Sequence, residues 1–401
     1  MSGQVKRAFK YRFFPTDAQA VELGRTFGCV RKVYNLALDA RTVAWVRGER
    51  VNYAATSAML TEWKRRDEFA YLNEVSSVPL QQALRHLQAA FANFWGKRAR
   101  YPRFKSRKKS RVSAEYTRSA FRWRDGKLTL AKMSEPLDIV WSRPLPEAGE
   151  PSTVTVSRDA ADRWFVSILC DDPAVEPLPA TTAAVGIDAG LTHLLTLSTG
   201  EKITNPRHER RDRERLAKAN RGLSRKQKGS NNRAKARLKV ARVHARIADR
   251  RRDHLHKITT RLVRENQTLV IEDLTVRNML GNSSLARAIS DASWSEFRTM
   301  LEYKACWYGR EVIAVDRWFP SSKLCSDCGA VRDRLPLNVR EWTCGCGVTH
   351  DRDVNAAKNI VAAGPAVSVC GDGVRPQRST PGGRSSVKQK TQPARVAIPA
   401  L

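Results

Sequence analysis

Three short segments carry carboxylates where a metal ion could use them. Val185-Gly186-Ile187-Asp188-Ala189-Gly190 puts Asp188 at the end of an apolar run, with glycine letting something bulky approach the backbone, and Leu269-Val270-Ile271-Glu272-Asp273-Leu274 repeats the device with Glu272. Asp351-Arg352-Asp353-Val354-Asn355 sets two more acids at the start of a helix. Singly, these are ordinary places for acids: a strand-end turn for Asp188, N-caps for Asp351 and Asp353. Three carboxylates brought together from separate elements repel one another and lose hydration, and a divalent cation resolves that conflict. Oxygen ligands with open water positions suit Mg²⁺ or Mn²⁺. Two such ions about 3.5 to 4 Å apart activate water and stabilise the leaving 3′ oxygen in phosphodiester hydrolysis.

A second constellation is sulfur. Cys325-Ser326-Asp327-Cys328 and Cys344-Gly345-Cys346 approach the paired-cysteine spacing of a four-thiolate zinc site, which is closed and structural because it leaves no position for water or substrate. The second pair has one residue between its cysteines where two are usual. His350 is then either a substitute or competing ligand, or a solvent-facing loop histidine. The other cysteines, Cys29, Cys170, Cys306 and Cys370, stand singly and read as packing or incidental residues.

The surroundings of both constellations are strongly basic. With 72 Lys and Arg against 40 Asp and Glu, the chain carries a formal net charge of +32, a field that draws in a polyanion. Residues 206–264 alone hold 22 basic and 5 acidic residues, a net of +17, including Arg221, Arg225, Lys226, Lys228, Arg233 and Lys235. Broken at Gly229-Ser230-Asn231-Asn232, this stretch predicts a long helical hairpin whose second arm has a narrow seam of Leu238, Ala241, Ala245, Ala248, Leu255 and Leu262. The run Lys97 to Arg111 holds nine basic residues and no acid, with Arg98, Arg100, Arg103, Lys105, Arg107, Lys108 and Lys109 beside Trp95, Tyr101 and Phe104. Basic residues interleaved with aromatics suit a single strand or an A-form helix. No apolar run is long enough to span a membrane and the N-terminus has no apolar signal core, so the expectation is a cytoplasmic, nucleoid-associated protein.

The elements that must position these groups fall into two halves. A strand over 4–14 is followed by helices, the first opened by Pro15-Thr16, then about 52–65 and 76–98; short strands follow at 127–130, 153–157 and 164–170. The Pro-rich segment 171–182 reads as the boundary. Beyond it come a strand hairpin from Ala183, the basic helices, a strand at 268–272, a helix at about 293–309, a strand at 311–316, the cysteines, and a helix at about 353–362, an α/β order. From about residue 363 the composition predicts a disordered basic tail.

The order GIDAG, IEDL, DRDVNAA, with cysteine pairs just before the last acid, resembles the TnpB (OrfB) family of transposon-encoded proteins, relatives of the type V CRISPR effectors. Val78-Pro79-Leu80-Gln81-Gln82-Ala83-Leu84 and Tyr101-Pro102-Arg103-Phe104-Lys105-Ser106 extend the resemblance over about residues 4–362. It implies a multidomain α+β protein: a wedge-type β-barrel (1–16 and 97–172) with an inserted helical recognition lobe (17–96), a linker (173–182), and an RNase H-like (RuvC) domain (183–320 and 347–362) with a zinc-ribbon insert (321–346). The family's catalytic acids correspond to Asp188, Glu272 and one aspartate of Asp351-Arg352-Asp353; we choose Asp353 because it directly precedes the helix-borne Val354-Asn355-Ala356-Ala357, with Asp351 second.

The residues themselves point to a metal-dependent nuclease on basic scaffolding. That its guide is a transposon-derived RNA, pairing with target double-stranded DNA beside a short adjacent motif, is implied by the resemblance only. Two other readings compete: a nuclease-inactive, guided DNA-binding regulator, which loss of a carboxylate would favour, and a DNA-joining transposase, whose metal site looks the same in sequence.

Overall fold

The computed structural model describes residues 6–107, 110–146, 149–171, 175–336 and 338–370. It opens with strand β1 (Lys6–Phe14), in which Phe9, Tyr11 and Phe13 face the core while the intervening bases face out, the period-two pattern of a half-buried strand. Helix α1 (Asp17–Val46) starts where Thr16 and Gln19 form a reciprocal capping box. Helices α2 (Tyr53–Arg65, capped by Asn52) and α3 (Ser77–Trp95) follow, the latter ending three residues before the expected Arg98.

The chain then returns to strands: β2 (Val112–Thr117), β3 (Phe121–Arg124), β4 (Lys127–Leu130), β5 (Asp138–Val140), β6 (Pro151–Arg158) and β7 (Trp164–Asp171). Their sheet runs β2-β6-β7-β1-β5, and the hairpin β3-β4 pairs only with itself. The expected barrel is therefore not closed. Among the described residues β2 and β5 are free edges, and β5, at three residues, is too short to carry pairing further. Helices and sheet share a single core, in which Leu23, Val33, Leu80 and Leu84 from the helices meet Tyr116, Val154 and Ile168 from the strands.

The second half is built on another mixed sheet. Strands β8 (Ala184–Ala189), β9 (His193–Leu197) and β10 (Lys202–Thr204) form an antiparallel meander. Helices α4 (His208–Ser224) and α5 (Asn231–Glu265) make the basic hairpin, with Ser230 capping the second arm. Strand β11 (Thr268–Glu272) then enters parallel to β8. After the short helices α6 (Val276–Met279) and α7 (Ala286–Ala292), helix α8 (Trp294–Tyr308) leads to β12 (Glu311–Val315), parallel to β11. The order is β10-β9-β8-β11-β12. A small hairpin, β13 (Glu341–Thr343) and β14 (Thr349–Asp351), leads directly into helix α9 (Arg352–Cys370).

Two details of packing were not as expected. The seam of α5 is formed chiefly by Val243, Ile247, Leu255, Ile258, Leu262 and Val263; Leu238, Ala241, Ala245 and Ala248 are only half-buried, because alanine has little side chain to bury and the hairpin's tip has no core to meet. Helix α9 also runs past the expected end near 362, through Gly364 and Pro365 to Cys370, so a tail beginning at 363 is incorrect over those residues; the remainder, 371–401, lies outside the described residues. Gly364 permits the extension, since a Cβ there would lie 2.7 Å from Val270 Cγ2 of β11.

Candidate active site and metal centre

Asp188 is the fifth of the six residues of β8, and Glu272 is the last residue of the neighbouring parallel strand β11, so the sheet itself brings their carboxylates to one end. Asp353 arrives from the first turn of α9, which packs across β8. That crossing is close enough to need glycine: a Cβ at Gly186 would lie 2.0 Å from the Ala357 carbonyl oxygen and 2.7 Å from the Val361 nitrogen. The bulky neighbour that the glycine admits is thus the helix bearing the third acid.

Asp188 feels the charges of the other two acids. Burial, followed by the charges of Glu272 and then Asp353, pushes the Asp188 carboxyl up to about 8, against a partial offset from Arg352 and the Ala189 amide. Each of the three acids is half-buried, and Asp353 Oδ2 lies 3.7 Å from Arg340 Nη1. Carboxylate oxygens at adjacent strand ends are hard donors of the kind a divalent ion takes, and an ion held there would replace repulsion with coordination. Beside Glu272 opens a cleft of about 410 Å³ walled by Ile187, Ile271, Leu274, Trp294 and Phe297.

Asp351 is occupied differently. One carboxylate oxygen accepts from the amides of Asp353 (3.1 Å) and Val354 (3.0 Å), and the other pairs with Lys202 at 2.5 Å. It caps α9 and aims the helix.

Behind the carboxylates lies a set of residues that the sequence reading did not single out. Ser321 donates its hydroxyl to Glu272 Oε1 (2.7 Å), and the Ser321 carbonyl accepts from Asn359 Nδ2 (2.8 Å). Asn359 Nδ2 also reaches the Leu324 carbonyl (2.7 Å), which accepts from Asn355 Nδ2 as well (2.7 Å); Asn355 Oδ1 accepts from the Ser326 amide (3.0 Å). All three residues are buried. The available signal was two asparagines four apart on the apolar face of a helix, where a buried amide demands partners.

The same backbone leads into the cysteine cluster. The sulfurs of Cys325, Cys328, Cys344 and Cys346 all lie within 4.8 Å of one another, with Cys325 to Cys346 at 3.8 Å and Cys328 to Cys344 at 3.6 Å. Four zinc–sulfur bonds of about 2.3 Å in a tetrahedron put sulfurs about 3.8 Å apart, so the spacing fits a four-thiolate ion despite the shortened second pair. The Cys346 amide is the main influence drawing the Cys344 thiol down to about 7. His350 is not a solvent-facing loop residue: it is buried, its ring centroid 4.8 Å from that of Trp342 and its Nε2 3.1 Å from Cys325 Sγ. In that position it can donate N–H to a thiolate and orient it.

The basic residues divide into exposed and structural. Arg98, Arg100, Arg103 and Arg107 are exposed, whereas Lys105 is half-buried with its ammonium 4.1 Å from the Tyr34 ring centroid and its backbone held by Asn35. Lys108 and Lys109 lie outside the described residues. On the hairpin, Arg221, Arg225, Lys226, Lys228 and Lys235 are exposed, while Arg233 closes the turn by donating to the Leu223 and Lys226 carbonyls. Acids at the hairpin's base are already paired, Asp212 with Arg250 and Asp291 with Arg251. Residues 216–248 hold eleven Lys and Arg and no acid, so the hairpin's outer part is a cationic arm.

Fold and site together define a multidomain α+β protein in which one hydrogen-bonded segment braces the acid-bearing end of β11, the helix that crosses the sheet and a four-cysteine cluster. The chain belongs to the TnpB (OrfB) family of transposon-encoded proteins. Residues 163–283 match the family described as "Probable transposase", residues 294–360 the one described as "Cas12f1-like, TNB domain", and residues 1–50 the one described as "Helix-turn-helix domain". Among its described residues the last span holds one strand and one 30-residue helix. The chain is 73% identical, over 100% of both chains, to a Streptomyces pristinaespiralis protein named "Putative RNA-guided DNA endonuclease". It is 35% identical, over 93% of its length and 96% of the relative, to the InsQ protein of Escherichia coli, which bears the same description. A cryo-EM structure of a Cas12f1-sgRNA-target DNA complex shares the fold, with a TM-score of 0.57 at 13% identity over 89% of this chain and 99% of that one. Among the described residues no helix is long and apolar enough to cross a membrane.

Proposed function

We propose that this chain is an RNA-guided, metal-dependent DNA endonuclease encoded by a transposon, cutting target double-stranded DNA beside a short adjacent motif. The arrangement that supports the chemistry is Asp188 and Glu272 at one end of neighbouring parallel strands, with Asp353 in the first turn of the helix that crosses them. The relatives' names, and the RNA and DNA in the complex whose fold it shares, support the guide and the target.

A mixed sheet with an antiparallel meander followed by two parallel strands, and acids at strand ends and a crossing helix, supports an RNase H-like (RuvC-type) domain over 183–320 and 347–362. Residues 321–346 would be its zinc ribbon. The sheet and helices of the first half, with the linker 173–182, would make up the wedge and recognition parts. Asp188, Glu272 and Asp353 would hold Mg²⁺ or Mn²⁺; bound there, such ions supply activation of a water and stabilisation of the leaving 3′ oxygen. The protein's own contribution is to fix these ligands: β8 and β11 set two, Asp351 and the asparagines of α9 set the third, and Ser321 restricts Glu272. Cys325, Cys328, Cys344 and Cys346 would hold Zn²⁺ and keep Leu324 and Ser326 in register with α9. The exposed arginines and lysines of 98–107 and of the hairpin would neutralise phosphates, so binding weakens steeply with salt.

RNase-treated protein given Mg²⁺ and a plasmid library tests the reading, with the copurified RNA added back or withheld. Site-specific cutting only with RNA, at sequences that RNA dictates, is expected. Equal cutting in both arms would remove the guide, binding without cutting would favour an inactive regulator, and joined products in place of free 3′ ends would favour a transposase.

A further inference from the structure

Trp318 is 84% exposed, the highest exposure of any large apolar side chain among the described residues. A lone exposed aromatic is common on protein surfaces and by itself means little. What sets Trp318 apart is its mount. It lies in the loop after β12, and the loop is fastened on both sides to the end of β11 that bears Glu272. On one side Arg317 Nη2 pairs with Asp273 Oδ2 at 2.5 Å; on the other, Ser321 donates to Glu272 at 2.7 Å. Between them the Trp318 amide donates to Asp316 Oδ1 (2.8 Å), the Phe319 amide donates to the Asp316 carbonyl (3.0 Å), and the Phe319 ring packs against the core of Val270, Ile313, Val315 and Ile360. The backbone under the indole is therefore fixed while the indole itself stands in water.

Two residues lie between Trp318 and Ser321, a backbone reach of at most about 10 Å, so the loop that carries the ring lies beside the end of β11 that bears Glu272. With its backbone fixed, the indole has only two side-chain torsions left to order, and its flat face matches a base, the one part of a nucleic acid that the basic surfaces do not address. We propose that Trp318 is a stacking platform for an unpaired base of the DNA strand entering the carboxylate centre. It would hold that strand so that the neighbouring phosphate meets Asp188, Glu272 and Asp353. This rests on the nuclease reading above for its purpose, but its binding step is testable alone.

The test uses the full chain carrying Asp188→Ala, which prevents cutting, and a short single-stranded DNA with 2-aminopurine at successive positions, at high salt so that phosphate contacts are screened. Emission should be quenched at one position, the quenching should survive Trp318→Phe, and Trp318→Ala and Trp318→Leu should both abolish it with about a tenfold loss of affinity. An abasic residue at that position should cost the Trp318 protein the same factor and cost Trp318→Ala nothing more. Identical quenching and affinity in Trp318→Ala, or retained quenching in Trp318→Leu, would overturn the proposal. Quenching with RNA of the same sequence but not with DNA would overturn the choice of strand. None of these readings needs cleavage, so a parent chain that cuts no DNA would sink the nuclease reading while leaving the stacking result to stand or fall by itself.

Discussion

Asp351 Oδ1 accepts the backbone amide of Asp353 at 3.1 Å, so the two acids at the start of α9 are held differently. The charge of Asp353 bears on Asp188, and its carboxylate lies 3.7 Å from Arg340 Nη1; Asp351 caps the helix, and although burial raises its pKa, Lys202 and the Val354 and Asp353 amides outweigh that and lower it.

Asp353→Ala should abolish cleavage while leaving nucleic-acid binding near normal, since it removes a metal ligand and no phosphate contact. Asp351→Ala should cost about 1 kcal/mol of stability through the lost cap and slow cleavage only partly. Cleavage assays and thermal melts of both variants check this. An active Asp353→Ala beside a dead Asp351→Ala would reverse the assignment.

Ser321→Ala should lower cleavage by about 10- to 100-fold and raise the Mg²⁺ concentration needed, because Glu272 loses the hydroxyl that orients it. A Mg²⁺ titration of the cutting rate, alongside a binding assay, reads both effects. An unchanged Mg²⁺ requirement would mean that Ser321 serves only the packing around it.

Metal-free protein should lose stability as pH rises. The Asp188 carboxyl sits at about 8 in the fold against about 3.9 unfolded, so the folded chain holds the extra proton between those values. Its contribution is fully present below pH about 4 and is lost as pH climbs through about 8, at up to about 1.4 kcal/mol per unit. Melts in chelator should show this slope, Asp188→Asn should flatten it, and Mg²⁺ at pH 8 should raise the melting temperature of the parent more than that of the variant. Parallel pH profiles for parent and variant would refute the linkage.

Purified protein should hold one zinc per chain, and Cys346→Ser should lose it, because four thiolates leave no spare ligand. His350→Ala should keep zinc but with about 10- to 100-fold weaker retention. If Cys346→Ser retains a full equivalent, His350 is a ligand in its place. Metal analysis after dialysis against a chelator distinguishes the two outcomes.

Much of this could be read from residue order. Alternation and apolar runs placed β11 at 268–272 to the residue, and Thr16 announced its helix, because capping and strand patterning depend on neighbours in the chain. The three acid-bearing segments and the cysteine pairs were likewise visible as types at spacings. Other features depended on contacts between distant segments. Whether the first sheet closed depended on what its edges met, and the short β5 leaves it open. Where Asp351 and Asp353 sit relative to the sheet depended on the packing of α9, and that is governed by Gly186 against Ala357 and by Asn355 and Asn359 reaching across to the segment 321–326. His350 was misplaced for the same reason: a histidine's exposure is set by what packs on it, here Trp342 and Cys325, and neither is its neighbour in sequence. Local pattern determines which groups are available and on which element; long-range packing decides which of them meet, because the desolvation and repulsion that give those meetings their chemistry exist only between residues the fold has brought together.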